Sequence, residues 1–208
     1  MKIISHRGYW IDFKRENNQR IAFERSFDMG YGTETDLRDI NGTIVISHNM
    51  PVGGEMTFEE LLKIMNGRNL PLALNIKADG QALEIQKLLK KYGHTNYFTF
   101  DMSIPDLVYQ VENTSLNVYS GYSDINPVIA LEHKVKGVWL DSFYEPWYQQ
   151  ERVSGILKKG KKVCIVSEDL HGRANTEQWK LLKDAPFCND DNIMLCTNML
   201  ADAIDYFS

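Results

Sequence analysis

Seven side chains near the start of the chain have types and spacings suited to chemistry on a phosphate. In chain order they are His6, Arg7, Glu34, Asp36, His48, Asn75 and Lys77. Carboxylate and amide oxygens are the ligands that Mg²⁺ and Ca²⁺ prefer. Guanidinium and ammonium groups bind phosphate, and imidazoles exchange protons near neutral pH. Together these are the groups needed to cleave a phosphodiester.

The polar side chains alternate within predicted strands. Glu34 and Asp36 lie two residues apart in the run Thr33–Arg38, and Asn75 and Lys77 lie two apart at the end of a later run. Alternate residues of a strand face the same way, so each pair shares one face. Two carboxylates on a buried face are costly without partners, which favours a functional role for them.

The elements that must position these residues alternate between β-like runs and helix-like segments, an order that predicts a parallel sheet covered by helices. The strands are predicted over Lys2–Ser5, Thr33–Arg38, Leu70–Lys77, Tyr97–Asp101, Leu116–Ser120, Gly137–Asp141, Lys162–Ser167 and Asn192–Thr197. Helices are predicted between them, one within residues 146–160, and the weakest candidate is residues 126–134, which could form only a turn or two.

Eight strands alternating with helices predict an α/β fold: a compact single-domain (β/α)₈ TIM barrel covering residues 1–208. Such barrels usually take about 250 residues, so this one needs short loops. In an α/β barrel the chemistry lies at the carboxyl ends of the strands. The polar residues named above fall at the ends of the early strands, as that arrangement requires.

Composition limits the classes of function. The net charge is −5 over 208 residues, and an acidic surface gives nucleic acid binding no electrostatic support. The three cysteines, Cys164, Cys188 and Cys196, include no C-x-x-C pair and favour reduced thiols. We read no signal peptide at the N-terminus, and no run approaches the roughly 18 apolar residues of a membrane span. We therefore expect a soluble cytoplasmic protein with a small-molecule substrate.

Taken in order, several motifs resemble the glycerophosphodiester phosphodiesterase family, which belongs to the phosphatidylinositol-specific phospholipase C-like phosphodiesterase superfamily. The motifs are SHRGYW at 5–10, ETDLR at 34–38, IVISHN at 44–49, TFEELL at 57–62 and LNIK at 74–77. The match is dense from Ile3 to Lys77 and thin afterwards. The resemblance implies a (β/α)₈ barrel and metal-dependent hydrolysis of a glycerophosphodiester or a related alcohol or sugar phosphodiester.

The resemblance also implies roles for individual residues. His6 and His48 would be the general acid and base, one deprotonating the attacking oxygen and the other protonating the leaving alkoxide. Arg7 and Lys77 would bind the scissile phosphate. The attacker would be either water or a neighbouring hydroxyl of the substrate, and the sequence does not choose between them.

A cation site is implied at Glu34 and Asp36, for Mg²⁺ or Ca²⁺, with Asn75 as a third ligand. The family commonly has an acidic residue where Asn75 stands. An amide oxygen can ligate either cation but brings no charge, so we expect weaker metal binding. A second departure is the short connection after His48, where only Asn49–Met56 precede the next helix cap. The alcohol part of the substrate therefore need not be glycerol.

Some alternatives stay open. Arg173 follows the seventh predicted strand, where barrel loops often hold phosphate, and is a candidate for binding a second anionic group. A metal-independent phosphodiester lyase is a second possible function. A barrel that binds a phosphorylated ligand without cleaving it is a third. The sequence does not indicate the oligomeric state.

Overall fold

The structure is a computed structural model that describes residues 1–146 and 150–208. Its strands are β1 (Lys2–His6), β2 (Gly32–Ile40), β3 (Thr43–Ile46), β4 (Leu72–Ile76), β5 (Tyr97–Phe100), β6 (Tyr119–Tyr122), β7 (Gly137–Leu140), β8 (Lys162–Val166) and β9 (Ile193–Thr197). Its helices are α1 (Phe13–Glu16), α2 (Arg20–Asp28), α3 (Phe58–Met65), α4 (Ala82–Lys91), α5 (Ile104–Asn113), α6 (Gln150–Lys158), α7 (Thr176–Lys183) and α8 (Leu200–Phe207).

The chain divides into two compact units. The continuous unit is Arg7–Val118, and the split unit combines Met1–His6 with Tyr119–Ser208. The peptide bond between His6 and Arg7 is thus one of the points where the chain passes from one unit to the other.

The continuous unit contains β2 to β5. Strand β4 pairs in parallel with β2 on one side and with β5 on the other, and β3 folds back antiparallel to the end of β2. All residues of β4 are buried, as expected for a parallel strand covered on both faces. Helix α3 begins with a capping box in which Thr57 and Glu60 satisfy each other's backbone N–H groups.

The split unit contains the first strand and the last four. Its strands pair in the order β1, β9, β8, β7, β6, and every pairing is parallel. The alternation of parallel strands with helices through both units is that of the (β/α)₈ TIM-barrel class, so the predicted fold class is confirmed. No helix in the described part of the chain is long and apolar enough to cross a membrane.

The elements differ from the sequence prediction in detail around β6. Within residues 126–134 only 130–134 form a turn and the rest is irregular, because Leu131 has a φ of 49° and a right-handed helix cannot contain that conformation. Strand β6 begins at Tyr119 instead of Leu116, and Val118 forms only an isolated parallel bridge with Thr99. The helix predicted within residues 146–160 is seen as α6, and residues 147–149 lie outside the described residues.

Candidate active site

A tight turn follows β1 and directs the Arg7 side chain. Arg7 and Gly8 both have left-handed backbones, with φ of 59° and 85°. Arg7 N donates to the Glu34 carbonyl over 3.0 Å, and Gly8 N donates to Thr33 Oγ1 over 2.8 Å. A side chain at Gly8 would approach the Ala22 Cβ within 2.7 Å. Glycine is therefore required by both the backbone and the packing of this turn.

The carboxylate of Asp36 contacts two of the predicted site residues of the continuous unit, Arg7 and Lys77. It is fully buried, with 0% of its surface exposed. Arg7 Nε lies 2.9 Å from Asp36 Oδ2, and Lys77 Nζ lies 3.5 Å from Asp36 Oδ1. Asn18 Nδ2 also donates to Oδ2 over 2.9 Å. Two cations and an amide thus compensate a charge that would otherwise be costly to bury.

The register of the sheet explains why these residues meet. Strands β2 and β4 pair Asp36 with Asn75 and Glu34 with Ala73. Lys77 N donates to the Leu37 carbonyl over 2.9 Å, which extends the pairing past the end of β4. Because alternate residues share a face, the sequence-predicted carboxylates and the amide lie side by side in the continuous unit.

The Glu34 carboxyl is buried among charged side chains that shift its pKa. Only 1% of its surface is exposed. Burial raises the pKa of the Glu34 carboxyl well above its usual value, and the neighbouring Asp36 charge raises it further. Arg7, Lys77 and a hydrogen bond from the Asn75 amide act in the opposite direction. A positive charge beside Glu34 would therefore be strongly favourable.

The oxygens of this cluster fit a divalent cation. Asn75 Oδ1 is buried and accepts no hydrogen bond from any described residue, and the buried Asp36 Oδ1 accepts none besides its 3.5 Å ion-pair contact with Lys77 Nζ. With the Glu34 carboxyl they form a set of hard oxygen ligands suited to Mg²⁺ or Ca²⁺. Residues 1–146 and 150–208 contain no group of three histidine, cysteine, aspartate or glutamate side chains placed to hold a metal ion. A cation site here therefore needs the amide of Asn75 as its third oxygen.

His6 lies at the end of β1 in the split unit, within a hydrogen-bond chain that the sequence did not predict. Its Nδ1 lies 2.7 Å from Asn198 Oδ1, because β1 and β9 pair Ser5 with Thr197 just before these residues. Asn198 is fixed by Asp169, whose Oδ2 accepts from Asn198 N over 2.7 Å and whose carbonyl accepts from Asn198 Nδ2. An amide oxygen only accepts, so His6 Nδ1 carries the proton and the lone pair of the neutral ring is on Nε2.

His48 lies in the loop that follows β3, and its side chain is exposed. Ser47 N donates to the Asp36 carbonyl over 3.1 Å, and Arg38 Nε donates to the His48 carbonyl over 3.1 Å. These bonds hold the backbone of His48 against β2. Its ring contacts Asn49 Oδ1 at 3.1 Å. The structure therefore anchors this residue by its backbone and leaves its imidazole accessible.

Arg173 is held by groups of its own unit. Its guanidinium forms an ion pair with Glu168 and donates to the carbonyls of Ser142 and Phe143. It thus ties the loop after β7 to the loop after β8. This arrangement accounts for the position of Arg173 without an anion, and its role in phosphate binding stays a prediction.

Several solved structures with this architecture are described as glycerophosphodiester phosphodiesterases. A protein of Agrobacterium tumefaciens assigned as a glycerophosphoryl diester phosphodiesterase matches with a TM-score of 0.75 and 12% identity, over 100% of this chain and 97% of that one. A glycerophosphodiester phosphodiesterase from the same organism matches with a TM-score of 0.70 and 15% identity, over 99% of both chains. The chain has the fold of the glycerophosphodiester phosphodiesterases.

The resemblance indicated by the motifs is confirmed at the level of this fold. A phosphodiesterase of Oleispira antarctica, solved with the product sn-glycerol-3-phosphate, also matches, with a TM-score of 0.69 and 15% identity over 99% of this chain and 97% of that one. No protein-family model matches the sequence, and no curated protein sequence matches it.

Several polar residues that hold candidate site residues by hydrogen bonds were not predicted from the sequence. Asn198 follows β9 directly, and Asp101 follows β5. A search for polar residues at the end of each predicted strand or just after it would have found both. Asp169 lies in a 3₁₀ helix, Glu168–His171, and Asn18 lies in the turn before α2. No sequence spacing predicts which side chain either of them holds.

Proposed function

We propose that the chain is a metal-dependent phosphodiesterase that hydrolyses a glycerophosphodiester or a related alcohol or sugar phosphodiester. The observation that carries this proposal is the buried Asp36 carboxylate, which gathers Arg7 and Lys77 beside Glu34 and Asn75. Two cationic side chains therefore lie next to the hard oxygen atoms that are proposed to hold the cation. The fold shared with glycerophosphodiester phosphodiesterases and the product held by the Oleispira antarctica enzyme support this substrate class.

Arg7 and Lys77 bind the scissile phosphate and offset its developing charge. Their side chains are partly exposed, at 14% and 23%, whereas Asp36 is not exposed. Each cation can therefore stay paired with Asp36 and still face an anion. Charged donors fixed before the reaction stabilise a transition state without further reorganisation. Asn18 keeps Asp36, and with it both cations, in place.

His6 and His48 supply the proton transfers. The hydrogen bond to Asn198 leaves the lone pair of neutral His6 on Nε2, where it can accept the proton of the attacking oxygen. His48, exposed and anchored through its backbone, is the partner that protonates the leaving alkoxide. Since both histidines must act on one phosphodiester, we propose that the 208 residues work as one domain.

The cation, Mg²⁺ or Ca²⁺, would be held by Glu34, Asp36 and Asn75. When bound, it supplies positive charge to a nonbridging phosphoryl oxygen. The buried acceptors Asp36 Oδ1 and Asn75 Oδ1, and the penalty on ionised Glu34, support this assignment. Attack by water yields two products directly, whereas attack by a substrate hydroxyl yields a cyclic phosphate, which ³¹P NMR of the products distinguishes.

A chelator assay tests the proposal. We expect hydrolysis of bis-p-nitrophenyl phosphate in Mg²⁺, Ca²⁺ or Mn²⁺, loss of activity in EDTA and its return when the cation is restored. Activity that persists in EDTA would indicate a metal-independent lyase. An absence of turnover with every cation and with glycerophosphodiester substrates would contradict the proposal and favour a barrel that only binds a phosphorylated ligand.

A matched pair of variants makes the assay specific to the site. Glu34→Gln keeps the size of the side chain and removes its charge, so we expect activity to fall at least about 100-fold, the usual contribution of a positioned charged group. Asp28→Asn removes a charge from an exposed residue that pairs with Arg68 at the end of α2. We expect that control to keep full activity.

The proposed setting is the cytoplasm, with a small-molecule substrate and no nucleic acid partner. The three cysteines form no disulfide, which suits a reducing compartment. The net charge of −5 disfavours contact with nucleic acid phosphates. A role in lipid metabolism would follow if the substrate derives from a phospholipid headgroup.

A further inference from the structure

We propose that Asp101 is a positioning residue of the cation site. In this proposal it orients the Asn75 amide so that the oxygen faces the cation, and it supplies the negative charge that Asn75 lacks. The inference rests on the proposed function, because the cation site is part of that function. It concerns a residue at the end of a different strand from the three ligands.

The hydrogen bonds of Asn75 define the direction of its amide. Asn75 Nδ2 donates to Asp101 Oδ2 over 3.4 Å, and the same amide donates to Glu34. Because Nδ2 donates to the carboxylates of Asp101 and Glu34, the amide oxygen Oδ1 faces away from both of them. That oxygen is buried and accepts no hydrogen bond from any described residue, in a side chain that is 93% buried. A buried acceptor without a donor is unfavourable unless another positive group faces it.

The sheet places Asp101 where this contact can form. Strands β4 and β5 pair Asn75 with Phe100, so Asp101 lies one residue beyond the level of Asn75. Its φ of 62° is left-handed, a conformation that aspartate adopts more readily than most residues. Asp101 is exposed to solvent, so its carboxylate adds a charge next to the site without the penalty that Glu34 bears.

The contact with Asp101 adds negative charge near the proposed cation. Asp36 is already balanced by Arg7 and Lys77, and burial disfavours the charge on Glu34. A neutral amide as the third ligand would leave the cation with little net negative charge around it. Carboxylates that hold metal ligands by hydrogen bonds orient them and raise their basicity, and their loss typically lowers metal affinity about 10- to 100-fold.

Direct measurement of cation binding tests the proposal without any substrate. Isothermal titration calorimetry of the full chain with Mg²⁺, Ca²⁺ and Mn²⁺ gives the affinity of the wild type. We expect Asp101→Asn to bind at least about tenfold more weakly. Asp28→Asn makes the same exchange at an exposed site paired with Arg68, and we expect it to bind like the wild type.

Moving the carboxylate from position 101 to position 75 tests whether Asp101 acts by positioning Asn75 or only supports the structure. In the double variant Asp101→Asn with Asn75→Asp, the acid stands at the ligand position itself, and we expect affinity to return at least to the wild-type level. Thermal unfolding checks that each variant is folded. Equal cation affinity of Asp101→Asn and the wild type overturns the proposal, as does a double variant that binds no better than Asp101→Asn. Either result leaves the proposed function standing, because the chelator assay tests that function separately.

Discussion

Asn18 Nδ2 donates a hydrogen bond to Asp36 Oδ2 over 2.9 Å, and both side chains are buried. The oxygen of the same amide accepts from Thr35 Oγ1 over 2.9 Å. Asn18 therefore bridges two consecutive residues of β2 from the loop before α2. Its own φ of 57° is left-handed, so a single residue supplies both the backbone turn and the buried polar bridge.

Replacing Asn18 with glycine isolates the bridge. Glycine suits the left-handed backbone, so the change removes only the side-chain bonds. We expect Asn18→Gly to lower the free energy of unfolding by about 1–3 kcal/mol, the usual effect of removing a partner of a buried polar group. Activity should fall as well, because Asp36 loses one of its three partners. Urea denaturation and the phosphodiesterase assay measure the two effects.

The control for this substitution is Asn41→Gly. Asn41 has a φ of 52° in the exposed turn between β2 and β3, so the exchange is the same but no buried bridge is lost. Its effect should stay within about 0.5 kcal/mol. Equal stability of Asn18→Gly and Asn41→Gly would show that the bridge contributes nothing.

The two histidines are expected to be essential for turnover. His6→Ala and His48→Ala should each lower kcat by at least about 100-fold, since each removes a positioned acid or base. His133 is exposed in the turn before β7, and His133→Ala serves as the control with unchanged kcat. Turnover close to that of the wild type in either the His6 or the His48 variant argues against the paired role.

The proximity of the candidate site residues in the continuous unit could be predicted because it depends on the local geometry of strands. Alternation along a strand puts Glu34 and Asp36 on one face, and a buried pair of carboxylates already indicates compensating cations. The register that pairs Asp36 with Asn75 then follows from two adjacent parallel strands. The (β/α)₈ class could be predicted for a similar reason, since each strand and helix has its own periodicity.

The partners of His6 could not be predicted in the same way. Asn198 reaches it only because β1 pairs with β9, and these strands are separated by almost the whole chain. No pattern of neighbouring residues in the sequence predicts that β1 pairs with β9. Likewise, the turn before β7 depends on the left-handed backbone of Leu131, a residue type whose presence normally favours a helix.

Gly8→Ala is expected to damage the turn that carries Arg7. The φ of 85° is unfavourable for alanine, and the new Cβ would lie 2.7 Å from the Ala22 Cβ and 2.8 Å from the Ala22 carbonyl carbon. The left-handed backbone costs roughly 1–2 kcal/mol, and overpacking adds about 1–3 kcal/mol. Activity should fall with stability, because Arg7 moves with the turn.

Gly30→Ala is the matched control for Gly8→Ala. Gly30 has the same φ of 85°, but a Cβ there would meet nothing within 4 Å. It should therefore lose only the backbone contribution and keep its activity. Chemical denaturation of both variants gives the difference, which should equal the overpacking contribution. The same loss of stability in both variants would mean that the contact with Ala22 relaxes freely.

The ion pair between Glu16 and Arg25 predicts an acid-sensitive contribution to stability. Glu16 Oε2 accepts from Arg25 over 2.5 Å and from Ile11 N over 2.8 Å, tying the loop after β1 to α2. The hydrogen bond from Arg25, followed by that from Ile11, lowers the pKa of Glu16 from 4.5 to about 2. A lowered pKa in the folded state means that the contribution is complete above pH 4.5 and is lost as the pH falls towards 2.

Glu16→Gln should therefore have a lower Tm than the wild type at pH 7, and the gap should narrow between pH 4.5 and pH 2. Glu24→Gln is the control, because 44% of the Glu24 side chain is exposed and it pairs with Arg20 over 3.4 Å within α2. An exposed pair of this kind contributes little, so its Tm should follow that of the wild type at every pH. Thermal melts across this range measure both gaps. A gap for Glu16→Gln that stays constant down to pH 2 would contradict the assignment of the charge-dependent contribution to this carboxylate.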